Sequence, residues 1–381
     1  MTPNKNFSSA DTNFSSKELL FLKGTDLKSL PLDSPREYLS DTIACETPWM
    51  ESFCLKLNKA DIPGENFLCA VMKQKSSANG ENFTRSLKHG SLQTIRNKTN
   101  VFFSKLFKNY HGIWHKLNNN VTAMALWEME KNKAEETLFS IKKELALISN
   151  TTVSAGACWS PFINFSRKDT FHNAIKALDH AAFYGSNNLT FFDAVSLNIS
   201  GDRLYQLGRI KKAAEEYNKG LKIDKNDTNL LNSQGVCFGM MNNLDMAQTA
   251  FEKAIKVKPD EVMAVYNAGL IYATTNKLTK GLKYLQKASK INNQIFEIEI
   301  TTGKFLIRAK EFEQAKIHIK KSAELNPKAS APFKTLGDLF IAQQEPEKAE
   351  TEYRKAVKLN PSDAGALSGL ALTYEIQNSN L

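Results

Sequence analysis

The feature that most constrains this chain is a sequence period of 34 residues that runs through its C-terminal half. Glycine recurs at that interval, at Gly201, Gly235, Gly269, Gly303 and Gly337, and Ala371 continues the series. An aromatic or large apolar column keeps the same interval, at Tyr217, Phe251, Leu285, Ile319 and Tyr353. Such a period is typical of units that bury their apolar faces only by stacking on their neighbours.

The columns have simple physical causes if each period is a pair of helices. Glycine and alanine remove side-chain bulk where the two helices cross, and the large residues fill the space beside them. Proline ends the second helix of three units, at Pro259, Pro327 and Pro361, because it cannot continue the hydrogen-bond ladder. The C-terminal half is therefore predicted to be an all-α array of helical hairpins.

These columns resemble the tetratricopeptide repeat over residues 194–381. The resemblance predicts five repeats and a closing helix, with the boundaries 194–227, 228–261, 262–295, 296–329, 330–363 and 364–378. It implies a superhelical solenoid in which the first helix of each repeat lines an inner groove that binds a partner protein or peptide.

The resemblance also indicates which side chains line that groove. The predicted partner-binding residues are Asn232, Met240, Tyr266, Lys304, Arg308 and Lys334. Apolar and polar groups come first along the chain and cations follow, which suits an extended or helical segment with an acidic element. Asn267 stands where some relatives grip a C-terminal carboxylate, but the Lys and Arg companions of that clamp are absent.

The N-terminal half has a different pattern, because short apolar runs alternate with amphipathic stretches from about residue 65. Residues 1–60 are weakly patterned and are predicted to be partly disordered. The predicted strands cover 65–73, 111–117, 121–127 and 151–159, and the predicted helices cover 91–110, 131–149 and 170–185. The order β-α-β-β-α-β-α predicts an α+β domain, a mostly antiparallel sheet with helices on one face.

Two stretches of this half resemble the GGDEF (diguanylate cyclase) family. HNAIKALDHAAFYGSNN is similar to the closing helix of that family: it agrees at Ala174, Ala177, Leu178, Ala181, Gly185 and Asn187 and departs at Ile175 and Asp179. TVSAGAC resembles the family's Thr-Val-Ser-x-Gly strand. The resemblance covers about residues 65–193 and implies a ferredoxin-like or nucleotidyl-cyclase-like sheet. Together with the repeats, it resembles a known class of bacterial GGDEF–TPR proteins.

The catalytic tip of that family aligns with a predicted hairpin turn that contains no Asp or Glu. The resemblance aligns Asn118, Asn119, Asn120, Val121 and Thr122 with the Gly-Gly-Asp/Glu-Glu-Phe tip, whose carboxylates hold divalent metals. Asparagine tolerates left-handed turn geometry, so the hairpin can form, but amides and valine are poor ligands for Mg²⁺. The preceding strand ends in Lys73, Gln74 and Lys75, and the family's inhibitory Arg-x-x-Asp is absent from 109–112. No enzymatic activity, metal or cofactor is therefore predicted.

Two functions remain open on these observations. The first is a non-enzymatic interaction scaffold in bacterial signalling, in which the repeats recruit a partner and the degenerate domain docks or forms a homodimer. The alternative is a nucleotide or cyclic di-GMP sensor, in which the degenerate domain binds its ligand without catalysis.

Charge and cysteine content indicate the kind of partner and the cellular compartment of this chain. The formal charge of +10 is spread along the chain without a basic block, so a nucleic-acid partner is not predicted. The five cysteines are scattered without metal-ligand spacing, which favours reduced thiols in the cytoplasm. The start of the chain is polar and no apolar run reaches about 20 residues, so neither a secretory signal nor membrane insertion is predicted. His111, His115 and His180 are interpreted as packed or exposed residues.

Overall fold

The computed structural model of this chain describes residues 48–59, 66–76, 89–118 and 120–379. These residues divide into two compact units, and each is described by itself. The first unit contains the described residues up to Lys225, and the second begins at Asn226. The predicted features of residues 1–47 lie outside the described residues.

The first unit alternates strands and helices and ends with one helical hairpin. Its strands are β1 Phe67–Ser76, β2 Gly112–Lys116, β3 Val121–Trp127, β4 Thr151–Ser160 and β5 Leu189–Phe191. Its helices are α1 Pro48–Lys59, α2 His89–Leu106, α3 Lys131–Ser149, α4 Asp169–Phe183, α5 Ala194–Gln206 and α6 Ile210–Ile223.

The strands form one mixed sheet in the order β2-β3-β1-β4-β5. Neighbouring strands are antiparallel except β4 and β5, which are parallel. The predicted mixed sheet is confirmed, whereas the short strand β5 was not predicted. Three residues are too few to show a period-2 pattern, and β5 is formed because its backbone pairs with Ala155–Ala157 of β4.

Helices cover both faces of the sheet, so the prediction of helices on one face is wrong. Alternate residues of β1 such as Phe67 and Val71 pack with α1 and α4, and the residues between them, such as Leu68 and Met72, pack with α2 and α3. Strand β1 is apolar at every position from 67 to 72, and a strand that is apolar on both faces must be covered on both.

The hairpin of α5 and α6 contacts the sheet domain through polar bridges as well as apolar packing. Asp193 caps α5 by accepting a hydrogen bond from the Ser196 backbone N–H, and the Nδ1 of His180 on α4 lies 3.2 Å from Ser196 Oγ. On α4, the Lys176 ammonium lies 2.5 Å from a carboxylate oxygen of the buried Glu216 on α6. The division between the units therefore comes after this hairpin, although residues 194–227 carry the repeat pattern.

The second unit consists of consecutive helical hairpins and a final helix. Its helices are α7 Thr228–Met240, α8 Leu244–Val257, α9 Val262–Thr274, α10 Leu278–Ile291, α11 Phe296–Arg308, α12 Phe312–Leu325, α13 Ala331–Ala342, α14 Pro346–Leu359 and α15 Ala364–Ser379. Each helix contacts the next one along the chain. No helix in the described part of the chain is both long and apolar enough to span a bilayer.

The turn inside each repeat contains a further column that the sequence analysis missed. Gly208, Asn242, Asn276, Lys310 and Gln344 are spaced by the repeat period and all have a positive φ, between 58° and 72°. This left-handed residue reverses the chain after the first helix, and backbone hydrogen bonds such as Glu311 N to Leu306 O close the helix end. The signal is visible in the sequence as Gly, Asn and Asn in one column.

Candidate functional site

The tip between β2 and β3 is a tight turn that asparagine side chains help to form. Leu117 donates its backbone N–H to Val121 O at 2.9 Å, and Asn118 Oδ1 accepts from Asn120 N at 2.9 Å. Asn120 is exposed, and its Nδ2 donates to Gln74 O at 3.4 Å. Asn119 lies outside the described residues. The described part of the tip therefore offers amide and backbone groups.

Two of the predicted tip positions are core residues. Val121 is buried among the side chains that pack with α1 and α4, and Thr122 is buried on the opposite face. Thr122 Oγ1 and the Nε2 of the buried Gln74 have no hydrogen-bond partner among the described residues. In the described part of the chain, no three His, Cys, Asp or Glu side chains are grouped to hold a metal ion.

The three histidines of the first unit that the sequence analysis singled out each contact a different neighbour. His111 Nδ1 bonds Glu128, and His115 Nδ1 lies 3.4 Å from the Lys56 ammonium. Burial, and then the Lys56 charge, lower the pKa of His115. His180 is buried, with its Nδ1 3.2 Å from Ser196 Oγ.

In the array, the first part of the predicted groove is not open to a partner. Asn232 and Tyr266 are 3% and 0% exposed. Asn267 Nδ2 donates to Asn232 Oδ1 at 2.9 Å, and Tyr266 bonds Thr301 across successive repeats at 3.1 Å. These two predicted groove residues bridge adjacent repeats, and the fully buried Asn267 cannot reach a carboxylate. Met240, by contrast, is 46% exposed.

The later part of the predicted groove carries cations that differ in their neighbours. Lys304 and Arg308 are exposed and lie one turn apart on α11. The guanidinium of Arg308 lies 5.3 Å from the ring centroid of Phe305. Lys334 Nζ instead bonds Asp338 at 2.7 Å, and the same carboxylate accepts from Tyr353 at 2.8 Å. The charge of Lys334 is therefore largely neutralised within the array.

Lys304 has a lowered pKa. Burial against the surrounding protein atoms is the main cause, the Lys334 ammonium lowers the pKa further, and the Asp338 carboxylate acts in the opposite direction. Its side chain remains open to water, so the surrounding protein affects it less than it would a core lysine. No described residue forms an ion pair with Lys304, and an anion bound beside it would favour the charged form of its ammonium group.

Comparison with known families identifies the repeats. Residues 337–378 match a family described as TPR repeat, and residues 241–294 and 196–227 match two families described as tetratricopeptide repeat. The C-terminal region therefore carries tetratricopeptide repeats, and the predicted all-α solenoid is confirmed there. No curated protein matches the chain.

Two of the solved structures with similarity to this chain are described as TPR proteins. YrrB, described as a TPR protein with an unusual peptide-binding site, is 22% identical over 46% of this chain and 91% of its own, with a TM-score of 0.41. TTC0263, a thermophilic TPR protein of Thermus thermophilus, is 17% identical over 48% of this chain and 98% of its own, with a TM-score of 0.39. MamA from Desulfovibrio magneticus RS-1 is 19% identical over 45% of this chain and 97% of its own, with a TM-score of 0.41.

Proposed function

We propose that this chain is a non-enzymatic adaptor in bacterial signalling whose tetratricopeptide array binds an acidic segment of a partner protein. The repeats themselves support a protein–protein interaction scaffold. The side chains on α11 and its neighbours indicate that the partner segment is acidic.

The observation that carries the proposal is the exposed cation pair of Lys304 and Arg308. Lys334 bonds Asp338, and Lys304 and Arg308 are two further cations whose side chains are exposed on α11. A guanidinium can hold a carboxylate through two parallel hydrogen bonds, and the ring of Phe305 keeps Arg308 in place for that contact. Two acidic side chains one helical turn apart, or two residues apart in an extended segment, would match this pair.

Affinity capture from a native lysate tests the proposal. Wild-type protein should retain a partner that Lys304→Glu/Arg308→Glu loses, because the reversed charges repel an acidic segment. Lys320→Glu/Lys328→Glu is the matched control, since it makes the same charge change at two exposed lysines elsewhere in the second unit. A partner that both variants retain equally would remove the groove assignment.

We further propose that residues 65–193 form a degenerate GGDEF-like domain that serves as a docking module. The order of elements and the β2–β3 hairpin support the proposal. So does Gly156 in the TVSAGAC stretch, because an added Cβ there would lie 2.3 Å from Ala174 O on α4. Without acids at the tip, the domain is not expected to react. Conversion of GTP into a cyclic dinucleotide and pyrophosphate by the purified protein, assayed in the presence of Mg²⁺, would overturn this part.

A ligand-sensing role is the second candidate. Gln74 Nε2 and Thr122 Oγ1 are buried, lack partners among the described residues and belong to the same sheet face. Buried polar atoms without partners are costly and are often satisfied by water or a ligand. Isothermal titration with GTP and with cyclic di-GMP decides between the candidates, because saturable heat that Gln74→Leu abolishes would favour sensing over pure docking.

The remaining expectations stay predictions. They are a cytoplasmic location, the absence of a nucleic-acid partner, and a homodimer formed through the N-terminal domain. The domain limits 1–60, 65–193 and 194–381 also stay predictions. They differ from the boundary between the two compact units, which comes after Lys225.

A further inference from the structure

The outward side of helices α2 and α3 carries exposed apolar side chains that the sheet does not use. Val101 on α2 is 68% exposed and Leu147 on α3 is 74% exposed. Both line an open cavity of about 960 Å³ whose floor includes the half-buried Phe102, Leu106 and Ile148. We name the surface formed by Lys98, Val101, Lys105, Glu144 and Leu147 the α2–α3 groove.

Packing of the fold does not explain these residues. Helix α2 contacts the sheet through Phe103, and α3 does so through Leu138 and Leu145, which are all buried. Single exposed apolar residues are ordinary on a protein surface. Here, however, two of them lie on neighbouring helices and line one cavity with a hydrophobic floor, which is typical of a surface that binds another chain.

The charged rim indicates what kind of chain it binds. Lys98 and Lys105 are exposed and lie about one turn before and after Val101 on α2, and Glu144 is the acid on the α3 side. No described residue forms an ion pair with any of the three. The rim therefore has an excess of positive charge beside an apolar centre.

We propose that the α2–α3 groove binds an amphipathic helix of a partner protein whose apolar stripe is flanked by Asp or Glu. The lining residues of α2 run from Asn97 to Leu106, a length of roughly 14 Å, which accommodates about two to three helical turns, and Asn109 and Tyr110 of the following turn extend the lining. The apolar stripe covers Val101 and Leu147, and the flanking acids face Lys98 and Lys105.

A second copy of this chain is a poorer occupant of the groove. In a two-fold pair the same surface meets itself, so the lysines of α2 would face either each other or the single acid Glu144. An acidic helix pairs with both lysines at once. The proposal is independent of the repeat array, which has its own cationic groove.

Two designed peptides test the proposal on the full-length chain. Both are helices of about 18 residues with the same leucine stripe, flanked by Glu in one peptide and by Lys in the other. Fluorescence anisotropy is measured on the Lys304→Glu/Arg308→Glu protein, so that the array does not compete for the acidic peptide. The Glu-flanked peptide should bind saturably, and the Lys-flanked peptide at least about tenfold more weakly, a difference of about 1.4 kcal/mol.

Substitutions in the groove then locate the binding. Leu147→Asp and, separately, Lys98→Glu/Lys105→Glu should each weaken binding about tenfold or more. Lys131→Glu/Lys133→Glu is the matched control, because those lysines are exposed at the start of α3, outside the cavity. All substituted side chains are exposed, and circular dichroism confirms that each variant is folded. Val101→Ser replaces Leu147→Asp if that variant unfolds.

Three results would overturn the proposal. They are the absence of saturable binding, equal binding of the two peptides, and binding that the groove variants leave unchanged. Sedimentation velocity gives a further outcome: a dimer that Leu147→Asp dissociates would assign the groove to a second copy and also overturn the proposal.

Discussion

Gly337 on α13 lies directly against the ring of Tyr353 on α14, so that a Cβ atom added to the glycine would come within 2.5 Å of Tyr353 Cε1. Gly201 has the same relationship to Tyr217, and Gly235 to Phe251, at the corresponding positions of earlier repeats. The glycine column and the large apolar column are therefore the two sides of one contact in these hairpins, whereas at Gly269 the nearest atom is the backbone nitrogen of Leu285.

Gly337→Ala should lower the free energy of unfolding of the array. The added methyl group displaces the Tyr353 ring, and overpacking of this kind costs about 1–3 kcal/mol, less the roughly 1 kcal/mol that alanine gains by its helix propensity. Urea unfolding followed by circular dichroism measures the change. Gly365→Ala is the control, because a Cβ there would mainly meet the flexible Lys334 side chain, so no loss is expected. Equal losses in both variants would contradict the contact.

Lys310→Gly should stabilise the array. Lys310 has a φ of 60°, and a side chain in the left-handed region is unfavourable by roughly 1 kcal/mol relative to glycine, which is partly offset by the flexibility that glycine adds to the unfolded chain. Gly208 already occupies this place in the first repeat. Thermal unfolding should show a small rise in Tm for Lys310→Gly, and a fall for Lys320→Gly, which lies inside the helix α12.

The bridge between Lys176 and Glu216 should make the first unit sensitive to acid. Burial alone would raise the pKa of Glu216, but the ammonium groups of Lys176 and Lys219 outweigh it and lower the pKa. A carboxyl whose pKa is lowered by folding stabilises the protein above its unfolded pKa, and this stability is lost as pH falls through the lower folded value.

Lys176→Met tests that bridge. At neutral pH it should destabilise the first unit by about 3 kcal/mol, because it leaves a buried carboxylate without its nearest cation. The difference in unfolding free energy from wild type should shrink in acid as Glu216 becomes protonated, because a neutral carboxyl group no longer needs the cation. Urea unfolding of both proteins at pH 7 and pH 3.5 measures this difference in unfolding free energy. A difference that does not depend on pH would contradict the role of the charge.

The cysteines should differ in reactivity. Cys54 is half-buried, whereas the thiols of Cys69, Cys158 and Cys237 are buried. Burial raises the pKa of Cys158 to about 12 and that of Cys69 well above its usual range, so neither forms the reactive thiolate near neutral pH. Burial also raises the pKa of Cys54, but its thiol is accessible. In a Cys45→Ser background, which removes the cysteine outside the described residues, Ellman's reagent at pH 8 should modify Cys54 in the folded protein and the other three only in urea. A further Cys54→Ser change should remove that fast-reacting fraction.

Binding of an acidic partner should weaken at alkaline pH. Because the pKa of Lys304 is lowered, its charge is lost at a lower pH than that of an ordinary lysine, somewhere below about 10.5. Loss of the Lys304 charge should weaken binding by about 1 kcal/mol or less, since the side chain is exposed. Lys304→Arg keeps its charge and should bind with an affinity that varies little over this range. Titrations of the captured partner at pH 7.5 and pH 9.5 would compare the two proteins.

The sequence by itself determined the repeats and most of the strands and helices. A tetratricopeptide hairpin is made from contacts within one period and with its neighbours, so the glycine and aromatic columns are enough to predict the hairpins. The alternation around the β2–β3 hairpin is likewise local, and the turn forms where three asparagines interrupt it.

Only the tertiary structure decided which predicted residues are open to a partner. The repeat positions of Asn232 and Tyr266 indicate a groove, but their exposure depends on how closely adjacent repeats approach, and both are buried in hydrogen bonds between repeats. Val101 fits a helical apolar pattern, and only the placement of α2 on the sheet leaves it facing outward. Exposure follows from packing between distant segments of the chain, and a periodic pattern along one segment does not contain that information.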